Sequence, residues 1–246
     1  MPTVFVTGAS RGIGAAIAKS LAIAGFSVGC ASRSGKLPSD EPEARSPWQS
    51  RCEAVSVDVA DPAAVKSSLD AFVRSSGPLN GVVNCAGIHE ESASAEMTAE
   101  QWSRVMNTNA ASIIWTCQAA YPHLVAAGGG LIVSIGSFFD KLGVRRNLAY
   151  CASKAAIGAI TRVLAVEWAG VGIRTLNIAP GYVLTDLNRD LVSQGSIGKF
   201  LQARIPRRSP AIPAEIGGLV AALFAPGSAF LTGETIYVDG GQGIAL

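Results

Sequence analysis

Tyr150 and Lys154 stand four residues apart in the run Tyr150-Cys151-Ala152-Ser153-Lys154, and Ser137 lies thirteen residues before the tyrosine. On a helix, residues four apart share a face, so the Lys154 ammonium can reach whatever Tyr150 approaches. A phenol titrates near roughly 10 when unperturbed, and a nearby cation favours its ionised form. Such a tyrosine is usable as an acid or base near neutral pH. The pair alone equally fits an interfacial tyrosine beside a solvated lysine. A second motif changes the balance: Thr7-Gly8-Ala9-Ser10-Arg11-Gly12-Ile13-Gly14 follows an apolar strand and opens a helix. Helix N-termini present unpaired N–H groups and a positive dipole end, which suit phosphate. Glycines there let the backbone turn sharply and approach a pyrophosphate. The spacing is G-x-x-x-G-x-G, different from the G-x-G-x-x-G fingerprint.

The next strand ends Cys30-Ala31-Ser32-Arg33. A ribose 2′-hydroxyl is usually held by an acid at this place, whereas a 2′-phosphate needs cations. No acid stands here. Arg33, with Arg11 from the glycine turn, offers planar forks suited to phosphate. The residues therefore point to NADP(H) rather than NAD(H).

Strand and helix signals alternate around these motifs. Strands are expected at Thr3–Val6, Phe26–Ala31, Ala54–Val57, Gly81–Asn84, Leu131–Ile135, Arg174–Ala179 and Thr235–Val238. Helices are expected at Gly12–Ala24, after the Asp61-Pro62 cap, from the Thr98/Gln101 capping box to about Ala127, and over Tyr150–Ala169. Short continuous apolar strands alternating with helices predict an α/β fold: one doubly wound Rossmann-type domain over residues 1–246, a seven-stranded parallel sheet with helices on both faces. No linker or repeat divides the chain. Pro38, Pro42 and Pro47 make Ser34–Ser50 an irregular excursion. Residues 183–212, with Gly195, Gly198, Pro206 and Pro210, look like a substrate flap.

The chain has 246 residues, 49% of them hydrophobic, and a net charge of +2 without a basic stripe, so no nucleic-acid partner is expected. No apolar run reaches the ~20 residues that span a bilayer, and no charged n-region marks a signal peptide. Five cysteines without a CxxC pair read as reduced thiols in a cytoplasmic protein. Two histidines far apart in sequence, His89 and His123, argue against a metal site.

Taken together, the motifs resemble the short-chain dehydrogenase/reductase family, in its 3-oxoacyl-carrier-protein-reductase-like branch, over nearly the whole length. The stations are residues 7–14, Asp58-Val59, Asn84-Cys85-Ala86-Gly87, Asn109, Ser137, Tyr150, Lys154, Pro180-Gly181 and Val238-Asp239-Gly240-Gly241. The resemblance implies that Tyr150 is the general acid for ketone reduction and the base for alcohol oxidation. Lys154 would hold the nicotinamide ribose and favour the tyrosinate. Ser137 would hydrogen-bond the substrate oxygen, and Asn109 would order a water near Lys154. Gly8, Ser10, Arg11, Gly12, Ile13 and Gly14 would cradle the phosphates, with Ser32 and Arg33 at the 2′-phosphate. Asp58 and Val59 would lie along the adenine. Asn84, Ala86 and Gly87 would border the ribose. Pro180, Gly181, Val183 and Thr185 would line the nicotinamide side. Cys85 departs from the usual Asn or Ala, and the three prolines fall where the family runs a helix.

Residues expected around the reacting carbon are Ile88, His89, Phe138, Phe139, Asn147, Tyr182, Leu184 and Leu187, a largely apolar, partly aromatic set. The carrier-protein branch holds its acidic carrier with basic residues, and the matching positions here, Gly128 and Val171, are uncharged. Arg145, Arg146, Arg207 and Arg208 could substitute. The favoured reading is an NADP(H)-dependent oxidoreductase of a small-molecule ketone and its secondary alcohol. The alternatives are a 3-oxoacyl-[acyl-carrier-protein] or 3-oxoacyl-CoA reductase and a non-catalytic cofactor-binding or scaffolding protein. The resemblance also implies a homotetramer, a dimer of dimers paired through the two long helices.

Overall fold

The structure is a computed structural model that describes residues 1–38, 46–185 and 196–245. Seven strands form one parallel sheet: β1 (Thr3–Thr7), β2 (Ser27–Ser32), β3 (Cys52–Ser56), β4 (Leu79–Asn84), β5 (Gly130–Ile135), β6 (Ile173–Pro180) and β7 (Thr235–Val238). Their spatial order is β3-β2-β1-β4-β5-β6-β7. Order reverses between β1 and β4, and ligands of open α/β sheets bind in the crevice beyond the strand ends at such a reversal.

Alternate residues of each strand feed opposite faces. Val4 and Val6 join Ile17, Leu21, Ile216 and Val220, beneath α1 (Gly12–Ile23) and the later helix Pro213–Leu223. Phe5 joins Leu69, Phe72, Ile113 and Ile157, beneath α2 (Pro62–Ser76), α4 (Ser112–Ala126) and α5 (Leu148–Trp168). Covering both faces explains why the strands read as unbroken apolar runs.

Local sequence sets the boundaries. The Asp61 carboxylate caps α2 by accepting from the Ala63 and Ala64 N–H groups at 2.9 and 3.1 Å, with Pro62 at the first helical position. Thr98 and Gln101 form the expected reciprocal box at the start of α3 (Ala99–Met106).

The long helix expected to about Ala127 is not one α-helix. A π turn at Asn107–Ala111 separates α3 from α4. Apolar residues on several faces hide this one-residue irregularity from periodicity. The helix Leu148–Val171, including the turn after α5, is long and apolar enough to cross a membrane by length and composition, although Lys154, Arg162 and Glu167 interrupt its apolar run. Here it packs on β6 and carries the polar pair Ser153 and Lys154 inside the protein.

The segment after β2 is irregular to Pro38 and then forms a 3-10 turn at Pro47–Arg51, with Pro47 at its first position. Pro42 lies outside the described residues. Of the flap, residues 186–195, Leu187 among them, also lie outside. The described part holds α6 (Ser196–Arg204) and a bridge between Val183 and Ala211. Leu184 donates to the Ala211 carbonyl at 2.7 Å, and Ala211 to that of Tyr182 at 2.9 Å, so the flap's two ends are stitched together. The helix Pro213–Leu223, hereafter α7, follows directly.

Candidate active site

The β1–α1 turn is shaped by close backbone approach. Gly8 and Gly12 have φ of +68° and +59°. A Cβ on Gly8 would sit 2.8 Å from the Ala86 Cα, and one on Gly14 only 2.2 Å from the Gly8 carbonyl oxygen. The N-cap, Arg11, makes no side-chain cap bond, so the first turn of α1 keeps its N–H groups for an outside acceptor. Thr185 faces this turn: its Cγ2 would be 3.7 Å from a Cβ on Gly12. Ser10 and Ile13 are half-buried beside it.

Ser32 is buried at the end of β2, its hydroxyl 3.2 Å from that of Ser34. Arg33 and Arg11 are exposed. Neither makes an ion pair among the described residues. Asp58 is exposed and accepts from the Ala60 N–H at 3.0 Å, while Val59 is buried.

Across the reversal point, the Thr7 hydroxyl accepts from the Cys85 and Ala86 N–H groups at 3.1 and 3.2 Å. It ties the end of β1 to the loop after β4. Thr7 opens the glycine motif in the sequence, where its hydroxyl carries no assigned role. Asn84 is buried, donating to Ser134 Oγ at 3.4 Å, and its carbonyl oxygen has no partner among the described residues. Ala86 is half-buried and Gly87 exposed, the latter beside Asn109 and Lys154: its Cβ would meet Asn109 Oδ1 at 3.3 Å and Lys154 Nζ at 3.8 Å. Pro180 ends β6. Gly181 donates to the Val238 carbonyl at 3.0 Å and packs against Asp239. Val183 is buried in the core beneath α1.

The structure brings Ser137, Tyr150 and Lys154 together, with Asn109 bordering Lys154 across Gly87. Ser137 caps a short 3-10 turn, Phe138–Asp140, by accepting from the Phe139 N–H at 3.2 Å, and its hydroxyl acts on the Tyr150 phenol. Lys154 is buried, donates to the Ile135 carbonyl at 2.8 Å, and lies 5.6 Å from the Tyr150 ring centroid. Burial pushes its pKa down to about 8.

The expected lowering of the Tyr150 pKa by Lys154 is not what the structure gives. Burial raises the phenol above its ordinary value, and the Ser137 hydroxyl opposes that rise. Desolvation of the charged form outweighs a cation turned to a backbone carbonyl.

Asn109 is fully buried because the π turn aims it inward. Such turns recur where a helix must present one side chain out of register. Its Oδ1 accepts from the Ile88 N–H at 2.8 Å, and its Nδ2 donates to the Ile88 carbonyl at 2.9 Å and to Ser153 Oγ at 3.1 Å. The side chain thus anchors the loop after β4. Ser153 is the partner that sequence did not single out.

Of the expected substrate residues, His89 and Phe139 pack against Tyr150. His89 stands edge-on to it with ring centroids 4.8 Å apart, and Phe139 does the same at 6.0 Å. Phe138 and Tyr182 continue the aromatic wall at 5.4 Å from each other. Asn147 is buried, hydrogen-bonded to His89 Nε2 and donating to the Arg145 carbonyl at 2.9 Å. Among the described residues no group of three or more His, Cys, Asp or Glu side chains is placed to hold a metal. His123 is engaged by Asp70 at 2.6 Å.

A family model described as enoyl-(acyl carrier protein) reductase matches residues 8–242. A tropinone reductase homolog of Arabidopsis thaliana is 34% identical, covering 97% of this chain and 91% of the relative. A D-threitol dehydrogenase of Mycolicibacterium smegmatis is 32% identical over 97% of this chain and 92% of its own. Among solved structures, a gluconate 5-dehydrogenase of Burkholderia cenocepacia in complex with NADP and tartrate superposes with a TM-score of 0.88 at 29% identity, covering 100% of this chain and 96% of that one.

Proposed function

The chain belongs to the short-chain dehydrogenase/reductase family, and we propose that it is an NADP(H)-dependent oxidoreductase interconverting a ketone and its secondary alcohol, with Tyr150 as acid and base. The observation that carries this reading is the convergence of Ser137, Tyr150 and Lys154 beside a backbone cradle that only glycine fits.

The cradle residues suit a dinucleotide. Gly8 to Gly14 leave room and free N–H groups for a pyrophosphate. Arg33 at the end of β2 and Arg11 at the start of α1, both exposed and without an ion pair among the described residues, favour a 2′-phosphate over a bare ribose. Relatives solved with NADP agree with that choice. When bound, the nicotinamide supplies or accepts the hydride.

The protein's share is position and a proton. Tyr150, held protonated by burial, donates to the carbonyl oxygen as it becomes an alcohol; the reverse reaction needs the tyrosinate. Ser137 hydrogen-bonds the same oxygen and stabilises charge developing there. Lys154 holds a ribose hydroxyl with the ammonium that now meets the Ile135 carbonyl. Phe138, Phe139 and Tyr182 keep water from the apolar side.

A 3-oxoacyl-[acyl-carrier-protein] reductase of Vibrio cholerae, 34% identical over 96% of this chain, favours a second reading, a 3-oxoacyl-thioester reductase. The uncharged Gly128 and Val171 weigh against a carrier-protein partner. Nucleotide oxidation is measured against free ketones and a 3-oxoacyl thioester, with wild type and Tyr150→Phe. The proposal expects NADPH turnover with a free ketone, and its loss in Tyr150→Phe with NADPH binding retained. Turnover confined to the thioester would establish the second reading. Undiminished turnover in Tyr150→Phe would refute the acid–base role.

A further inference from the structure

We propose that His89 accepts a hydrogen bond from a substrate hydroxyl on the carbon next to the reacting one, so that α-hydroxy ketones and the matching vicinal diols are the preferred substrates; this rests on the ketone–alcohol reading above. Asn147 fixes the chemistry of the imidazole. Its Nδ2 donates to the Arg145 carbonyl at 2.9 Å, which turns its Oδ1 toward His89 Nε2. An amide oxygen only accepts, so Nε2 must carry the proton. In a neutral imidazole that leaves Nδ1 as an acceptor.

His89 is exposed, and its only hydrogen bond among the described residues is the one to Asn147. The two acids that follow it do not compete for the same donor. Glu90 is engaged by Arg104 at 2.6 Å, and Glu91 faces Arg146 at 3.8 Å. The His89 ring stands 4.8 Å from that of Tyr150, which holds the reacting oxygen. A ring packed edge-on against Tyr150 suits contact with an oxygen one carbon further along the substrate. Phe139 packs on Tyr150 as well, with Phe138 and Tyr182 extending the apolar wall. A substrate polar on one side of its carbonyl and apolar on the other meets complementary surroundings. A site built to bond a hydroxyl discriminates strongly against the analogue that lacks it, because its own acceptor is then left unpaired.

The test compares 3-hydroxy-2-butanone with 2-butanone in wild type, His89→Phe and Asn147→Ala, following NADPH oxidation, with NADPH titration as the check on folding. Phenylalanine keeps a ring against Tyr150 and removes the acceptor. Wild type is expected to favour the hydroxy ketone in kcat/KM by about tenfold or more. In His89→Phe that ratio falls toward one, the loss concentrated on the hydroxy ketone, with NADPH affinity unchanged. Asn147→Ala, which frees the imidazole to change tautomer, lowers the ratio part of the way. Equal wild-type rates on the two ketones would overturn the inference and leave the reductase reading standing. An equal loss on both ketones in His89→Phe would reduce His89 to packing on Tyr150. NADPH binding without oxidation by any ketone would remove the reductase reading and this inference with it.

Discussion

Lys154 carries the sharpest conflict between folding and chemistry. Its ammonium is buried with one carbonyl partner, and its pKa falls from 10.5 to about 8. Between those values the unfolded chain binds the extra proton, so this group makes stability rise with pH there, while below about pH 8 the full desolvation cost is present. Lys154→Met should therefore stabilise the nucleotide-free protein at pH 7, by on the order of 2–3 kcal/mol, while abolishing turnover. Thermal unfolding and nucleotide oxidation on one preparation check both. Tyr150 bears on rate rather than stability. Because burial raises its pKa, ketone reduction should hold its rate through neutral pH and decline at alkaline pH. Alcohol oxidation, which needs the tyrosinate, should climb over the same range, so pH profiles run in both directions should be mirror images. At the other end of the cleft, Arg33→Ser should weaken NADPH by about tenfold or more, the scale of losing a charge-assisted pair, and leave NADH nearly unchanged. The meeting of Ser137, Tyr150 and Lys154 and the sharp glycine turn were legible in sequence because both depend on short-range spacing. The direction of the tyrosine shift was not, because it is set by the whole surrounding wall.

At the level of elements, caps and strand runs announced themselves, and the break in the long helix did not. Thr98 and Gln101 satisfy each other at an exposed helix start. Thr98→Ala should cost about 1 kcal/mol of stability and leave turnover near wild type, as denaturant unfolding beside an activity assay would show. Asn109→Ala should behave differently. It cuts both bonds to Ile88 and the one to Ser153, so turnover should fall with stability, and hydrogen exchange at Ile88 should rise. Nothing local to Asn109 foretells its partners, which lie at separations of 21 and 44 residues. The His89–Asn147 bond spans 58 residues and was hidden for the same reason, although both residues were placed near the substrate from sequence.

The molecule as a whole was the most legible level. Both sheet faces are covered, so every strand had to be apolar, and the doubly wound order follows from strands alternating with helices. What remains uncovered points outward. Val163 and Val166 on α5 are 54% and 84% exposed, and Trp102 on α3 is 38% exposed. We expect the homotetramer implied by the family to cover this face. Light scattering should give four times the subunit mass, and Val166→Glu should lower it without unfolding the subunit. The π turn at Asn107–Ala111 enters here too, as a matter of phase. A π turn holds about one residue more than an α turn, and each residue adds about 100° of rotation. Whatever follows it is rotated by that angle relative to what precedes it. In this way one continuous rod is dealt in two directions: α3 meets α5, while α4 meets α2 and β4. Removing a single residue at 108 would give a more regular rod whose two halves could no longer both face their neighbours.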